Sequence, residues 1–178
     1  MKKFLPILIL LFCCASACAE QEAPTPVPVA EAAPAPAEAL AQISEVPAAL
    51  HDAMSELTNY AKSLIAIPYK YGGTTPESGF DCSGFVRHVF QKSVGWLLPH
   101  NSREISHTGE SLQSDQLSPG DLVFYNTRHK PFSHVGIYIG ENQFIHSPSR
   151  GRAIEVVSMR DKYWRKRYNG ARRIPLQS

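Results

Sequence analysis

Glycine is absent before Gly72, and residues 19–49 contain no lysine, arginine or aromatic residue. A stretch without these cannot bury enough surface to form a core of its own. Cysteine is scarce: there are four, at positions 13, 14, 18 and 82. Only Cys82 lies beyond residue 18, so the rest of the chain cannot be a disulfide scaffold. The net charge of +2 does not mark a nucleic-acid binder. Neither a phosphate-binding glycine loop nor a dinucleotide fingerprint occurs, so nucleotide chemistry has no support. No internal repeat is visible. A chain of 178 residues suits one domain of ordinary size.

What is present is segregated. Lys2 and Lys3 precede an apolar run from Phe4 to Phe12, broken only by Pro6, and then Ala15, Ser16 and Ala17. That run is too short for a permanent membrane span, so residues 1–17 read as an export signal. Ala15-Ser16-Ala17-Cys18 resembles a bacterial lipobox, in which Cys18 becomes the lipidated first residue and a membrane anchor. Ordinary cleavage after Ala17 or Ala19 is the alternative, giving a soluble periplasmic or secreted protein. Ala19, rather than Asp, resembles the pattern of lipoproteins sent to the outer membrane, where the chain would face the periplasm. Residues 19–49 hold eleven alanines, six prolines and five glutamates. Residues 18–49 therefore read as an anchored, disordered tether. As stiff polyproline-rich chain it would reach on the order of 90 Å.

Residues 50–178 form the expected domain. From His51 onward there are 16 Lys+Arg and 11 Asp+Glu, a balance of +5. Apolar residues at 50, 53, 54, 57, 60, 61, 64 and 65 predict a helix over 49–66, ended by Pro68. A second helix is expected over Ser83–Val94, and a short one around 102–107 within a loop-rich stretch. Beyond Pro119-Gly120 the pattern turns to strands at Asp121–Asn126, His134–Ile139, Gln143–Ser147, Ala153–Ser158 and Gly170–Ile174. Helices followed by an antiparallel meander predict an α+β domain, with N-terminal helices packed on a central sheet.

Asp81 is a natural helix N-cap, which puts Cys82 in the first turn. Unpaired N–H groups and the helix dipole favour a thiolate there. A hairpin loop over Gly140–Asn142 would set Ile139 opposite Gln143 and Gly136 opposite His146. His134 and His146 would then project from one face as diagonal neighbours, opposite Val135, Ile137 and Ile139. A thiol and two imidazoles can form a nucleophile, base and orienter series. They could also bind zinc, but no C-x₂-C or H-x₃₋₅-H spacing supports a metal, and no cofactor is expected. His51, His88, His100, His107 and His129 show no partner pattern. Arg160 to Arg173 carries seven basic residues and one acid, which reads as a solvated face around Trp164 and the closing strand, with attraction to anionic wall or lipid groups as the alternative.

Several motifs occur in order: Pro68-Tyr69-Lys70-Tyr71-Gly72-Gly73, Gly79-Phe80-Asp81-Cys82-Ser83-Gly84-Phe85-Val86, and Leu98-Pro99 with Ser102. Pro119-Gly120-Asp121-Leu122-Val123-Phe124, Ser133-His134-Val135-Gly136-Ile137-Tyr138-Ile139-Gly140, Phe144-Ile145-His146 and Tyr168-Asn169-Gly170-Ala171-Arg172-Arg173-Ile174 follow. Together, over about residues 57–174, they resemble the NlpC-type cysteine peptidases of bacterial cell walls. The architecture is similar to that of single-domain murein endopeptidase lipoproteins of Gram-negative bacteria. The resemblance implies a papain-like α+β fold and hydrolysis of peptidoglycan stem peptides or their crosslinks. It implies Cys82 as nucleophile, His134 as base, His146 as third member and Tyr69 as a hydroxyl beside the thiol. Asp81, Ser83 and Ser102 fall where the family contacts substrate. One departure is His100, where the family often has arginine. An inactive wall-binding protein and an acyl transferase using the same thiol are the alternatives.

Overall fold

The computed structural model describes residues 48–127 and 129–175. The expected signal, Cys18 and nearly all of the tether lie outside the described residues. Helix α1, Ala48–Ser63, begins inside the last two residues of the expected tether. Its Leu57 and Ala61, with Leu64 just beyond it, are buried at the expected helical spacing. A small hairpin, β1 (Thr74–Thr75) and β2 (Gly79–Phe80), leads into α2, Cys82–Val94. The inward face of α2 carries Phe85, Val86, Val89 and Phe90, and Gly95 ends the helix in the left-handed conformation. A single turn, α3 (Ser102–Ile105), is capped by the Asn101 side chain, which accepts from the Glu104 N–H at 3.0 Å.

The sheet strands are β3 (Glu110–Leu112), β4 (Leu122–Tyr125), β5 (His134–Gly140), β6 (Gln143–His146), β7 (Glu155–Ser158) and β8 (Tyr168–Arg173). They form one sheet ordered β3-β8-β4-β5-β6-β7, antiparallel throughout. The α+β expectation is met. Among the short elements that were not expected are β3, which lacks a strand-like run, and α4, Lys162–Arg165. Both are too short to carry a period and exist through what they pack against.

Strand alternation divides the core. Leu122, Phe124, Val135, Ile137 and Ile145 face α1 and α2. Val123, Tyr125, Tyr138 and Phe144 face the other way, with Trp164 of α4. The β5–β6 turn differs from expectation. Gly140, not Ile139, stands opposite Gln143, leaving a two-residue turn of Glu141 and Asn142. Both turn residues have positive φ, as a tight hairpin turn of this hand requires. The register shift is absorbed between Tyr138 and Gly140, so Ile137 still faces Ile145 and both histidines stay on one face.

Candidate active site

The cysteine is placed by a helix start that is unusually well tied. Asp81 Oδ1 accepts from the Gly84 N–H at 2.7 Å and from Ser83 Oγ at 3.0 Å, while Oδ2 accepts from the Gly72 N–H at 3.0 Å. The first turn presses so closely on the preceding loop that a Cβ at Gly84 would lie 2.0 Å from the Gly73 carbonyl oxygen. Only glycine fits there. Cys82, the first helical residue, is half-buried, and it carries a thiol rather than a disulfide.

The imidazoles sit on the opposite wall. His134 and His146 are both buried, and His134 Nε2 lies 2.7 Å from His146 Nδ1. Their rings are nearly perpendicular. Trp164 closes this layer: it stacks against His134 at 5.7 Å between centroids and meets His146 edge-on at 4.9 Å. Trp164 is only 8% exposed, so the expected solvated face is corrected at its centre. Lys162, Arg165 and Lys166 around it are exposed, as a four-residue helix with one inward side chain allows. Burial, then His134 and Arg152, push the pKa of His146 down to about 2. The His146 ring is therefore neutral.

Cys82, His134 and Tyr69 line one cleft of about 420 Å³, with Trp164, Tyr163, Asp161 and Arg152 at its other edges. Backbone ties bring the walls together. Ser147, next to His146, donates its hydroxyl to the Phe80 carbonyl at 2.7 Å. The Lys70 N–H donates to the same carbonyl at 2.9 Å, and the Tyr69 N–H to the Arg152 carbonyl at 2.9 Å. Tyr69 is thus clamped between the approach to Cys82 and the segment after β6.

The remaining predicted residues are placed differently. The side chains of Asp81 and Ser83 bond to each other and to the helix start, and neither lines the cleft of Cys82. Ser102 lines a separate depression, and its hydroxyl donates to the Phe132 carbonyl at 2.7 Å, two residues before His134. His88, for which the sequence shows no partner pattern, is a helix residue on α2 whose Nε2 lies 2.9 Å from the Tyr60 hydroxyl. Sequence reasoning missed Trp164, Ser147, Arg152 and Glu155. Glu155 is the cross-strand partner of His146 and bonds to Arg152. None of the four stands in a short motif, and a one-strand register was the only signal for Glu155. Among the described residues, no group of three or more His, Cys, Asp or Glu could hold a metal ion. No described helix is long and apolar enough to cross a membrane.

Comparison with known proteins is consistent with this geometry. A sequence model of the NlpC/P60 family matches residues 66–173. The chain is 39% identical over 127 residues to murein DD-endopeptidase MepS/murein LD-carboxypeptidase of Escherichia coli K12, covering 71% of this chain and 66% of that protein. It is 38% identical over 115 residues to the gamma-DL-glutamyl hydrolase of Bacillus subtilis 168, covering 64% of this chain and 28% of that one. The chain therefore spans two thirds or less of the length of these relatives. A crystal structure of an NlpC/P60 family protein from Bacillus cereus ATCC 10987 superimposes with a TM-score of 0.65 at 32% identity, covering 70% of this chain and 40% of that one.

Proposed function

The chain belongs to the NlpC/P60 family, and from that premise we propose that it is a cysteine-type peptidoglycan endopeptidase, hydrolysing stem peptides or their crosslinks. The observation that carries this reading is the imidazole pair at 2.7 Å, one member of which shares a cleft with a helix-start cysteine. The Cys82 thiol, favoured as thiolate by the helix start, attacks the scissile carbonyl carbon after His134 takes its proton. The C–N bond breaks, and the His134 imidazolium protonates the leaving amine. Water then attacks the acyl-enzyme, giving its proton to His134, and the free acid and thiol are restored. His146 holds the His134 ring, as a third group does in other triads. The developing oxyanion is met by the Cys82 N–H and the Tyr69 hydroxyl; loss of one such donor typically costs about 2.7–4 kcal/mol.

Asp81 and Ser83 shape the helix start, and through it the edge against which a substrate amino group would rest. Ser102 acts through the Phe132 carbonyl on the approach to His134. Export, with a lipid on Cys18 and an outer-membrane location facing the periplasm, fits a wall substrate. The tether of residues 18–49 would then carry the domain of residues 50–178 out to the wall.

Digestion of crosslinked peptidoglycan, with mass analysis of the products, tests this reading. Conversion of crosslinked dimers to intact monomer stems identifies a crosslink-opening enzyme; shortened stems identify cleavage within the stem. Amine adducts in the presence of added acceptor would indicate acyl transfer. Unchanged material would return the weight to a wall-binding role.

A further inference from the structure

His146 has one nitrogen that the triad leaves without a role. The residue is fully buried; its Nδ1 bonds to His134, and its Nε2 has no hydrogen-bond partner among the described residues. Buried polar nitrogens are rarely left so. Across the ladder, Glu155 is the direct partner of His146, and its Oε1 lies 3.6 Å from that Nε2. The same carboxylate oxygen is held by the Arg152 guanidinium. Closing the gap to the ~2.8 Å of a charge-assisted bond requires less than an ångström, on a side chain that is 31% exposed.

The proton count shows what this contact would do. His134 uses Nε2 toward His146, so its Nδ1 is the nitrogen left to serve a thiol. One of the two ring nitrogens in the contact must donate. If His146 Nδ1–H donates, a neutral His134 carries its own proton on Nδ1 and cannot accept another from Cys82. If His134 Nε2–H donates, Nδ1 is a base, and the neutral His146 must then carry its proton on Nε2. That proton points away from His134, within a layer packed by Phe144 and Trp164. A carboxylate on this side favours the second arrangement.

We propose that Glu155, held by Arg152, is a positioning residue: it accepts the His146 Nε2–H and thereby selects the tautomer in which His134 is a base toward Cys82. This rests on the hydrolase reading of the same cleft. It assigns a task to a strand residue that lies outside every motif and does not line the cleft. Arg152, which does line the cleft, bonds to the carboxylate and keeps it aimed.

The test is a long-range proton–nitrogen correlation on the full chain labelled with ¹⁵N-histidine, beside steady-state kinetics. Wild type should show His146 protonated at Nε2. Glu155→Ala should shift population to the Nδ1–H form. Its kcat should fall about tenfold or more at unchanged KM, part of the roughly 10²–10⁴-fold that a positioned base supplies. Glu155→Gln, whose amide oxygen still accepts, should restore the tautomer and most of kcat. An Nε2–H tautomer retained in Glu155→Ala, or wild-type kcat in that variant, overturns the proposal. Turnover by Cys82→Ala would instead remove the hydrolase reading, and the tautomer spectra would still decide the role of Glu155.

Discussion

On one side of the sheet, Leu122, Phe124, Val135, Ile137 and Ile145 lie beneath α1 and α2. On the other, Val123, Tyr125, Tyr138 and Phe144 share their layer with two imidazoles beneath Trp164. Both layers come from the same strands, since neighbouring residues point to opposite faces. The first is closed by helices of 16 and 13 residues with apolar stripes, and no histidine is among its buried cluster residues. The second is closed by a helix of four residues and one indole. It also holds the buried hydroxyls of Tyr125 and Tyr168, whose pKa values burial pushes up. The helix-covered face is built for packing. The indole-covered face encloses groups that could act on protons, and the cleft lies where the two meet. Cys82 packs against the first core, and His134 belongs to the second layer.

The sharpest way to separate the two faces is to compare loss of chemistry with loss of stability. Cys82→Ala should lower kcat on peptidoglycan by a factor on the order of 10⁶, as nucleophile removal does in other triads. Its thermal midpoint should stay near wild type; residual turnover within tenfold of wild type would sink the mechanism. Phe90→Ala, deep under the helices and two turns from Cys82, should cost about 3–5 kcal/mol in urea unfolding. Its activity in native buffer should remain near wild type. Trp164→Ala should cost stability on the same order, about 3–5 kcal/mol, but should also open His146 to water and raise its pKa toward the ordinary range. Histidine titration by NMR checks this, and a Trp164→Ala spectrum identical to wild type would make the faces equivalent.

Much of the first face was readable before folding. The spacing of α1 and α2, the Asp81 cap, the strand alternation and the common face of His134 and His146 all follow from periods of 3.6 and 2. The hairpin expectation was off by one residue in its loop and still held in register, because the Gly140 bulge absorbed the difference. β3, α4 and the burial of Trp164 were not readable. A basic run gives no local hint that its one tryptophan turns inward, and a three-residue strand is defined only by its neighbour β8.

Acid stability offers a smaller contrast. In the fold, burial holds the pKa of His146 down to about 2, whereas in the unfolded chain it takes up a proton near the ordinary ~6.5. The unfolded state thus binds more protons between these values, so stability falls as pH drops. The stability contribution is complete above about pH 6.5 and is lost progressively toward pH 2. Burial and Lys92 shift His88, half-buried on α2, in the same direction. Urea midpoints across this range should fall less steeply in His146→Asn than in wild type; parallel curves would contradict the burial of that ring as a cause. The smallest effect expected is at the seam. Ser147→Ala removes one of two hydrogen bonds to the Phe80 carbonyl and should cost about 1 kcal/mol. It should also loosen the distance between the cysteine and histidine walls, read as a lower kcat at nearly wild-type stability.

The sequence by itself determined the α+β class, the helix start that holds Cys82, and the strand positions that put two histidines on one face. Each of these is local or periodic, set by capping groups and by the alternation of a pleated strand. Only the tertiary structure decided that Trp164 seals both imidazoles, that Ser147 ties their strand to the approach of Cys82, and that Glu155 stands beside His146. Those contacts join residues far apart in the chain or across a register. They arise when buried rings and polar groups must be covered and paired, a demand that appears only once the layers close.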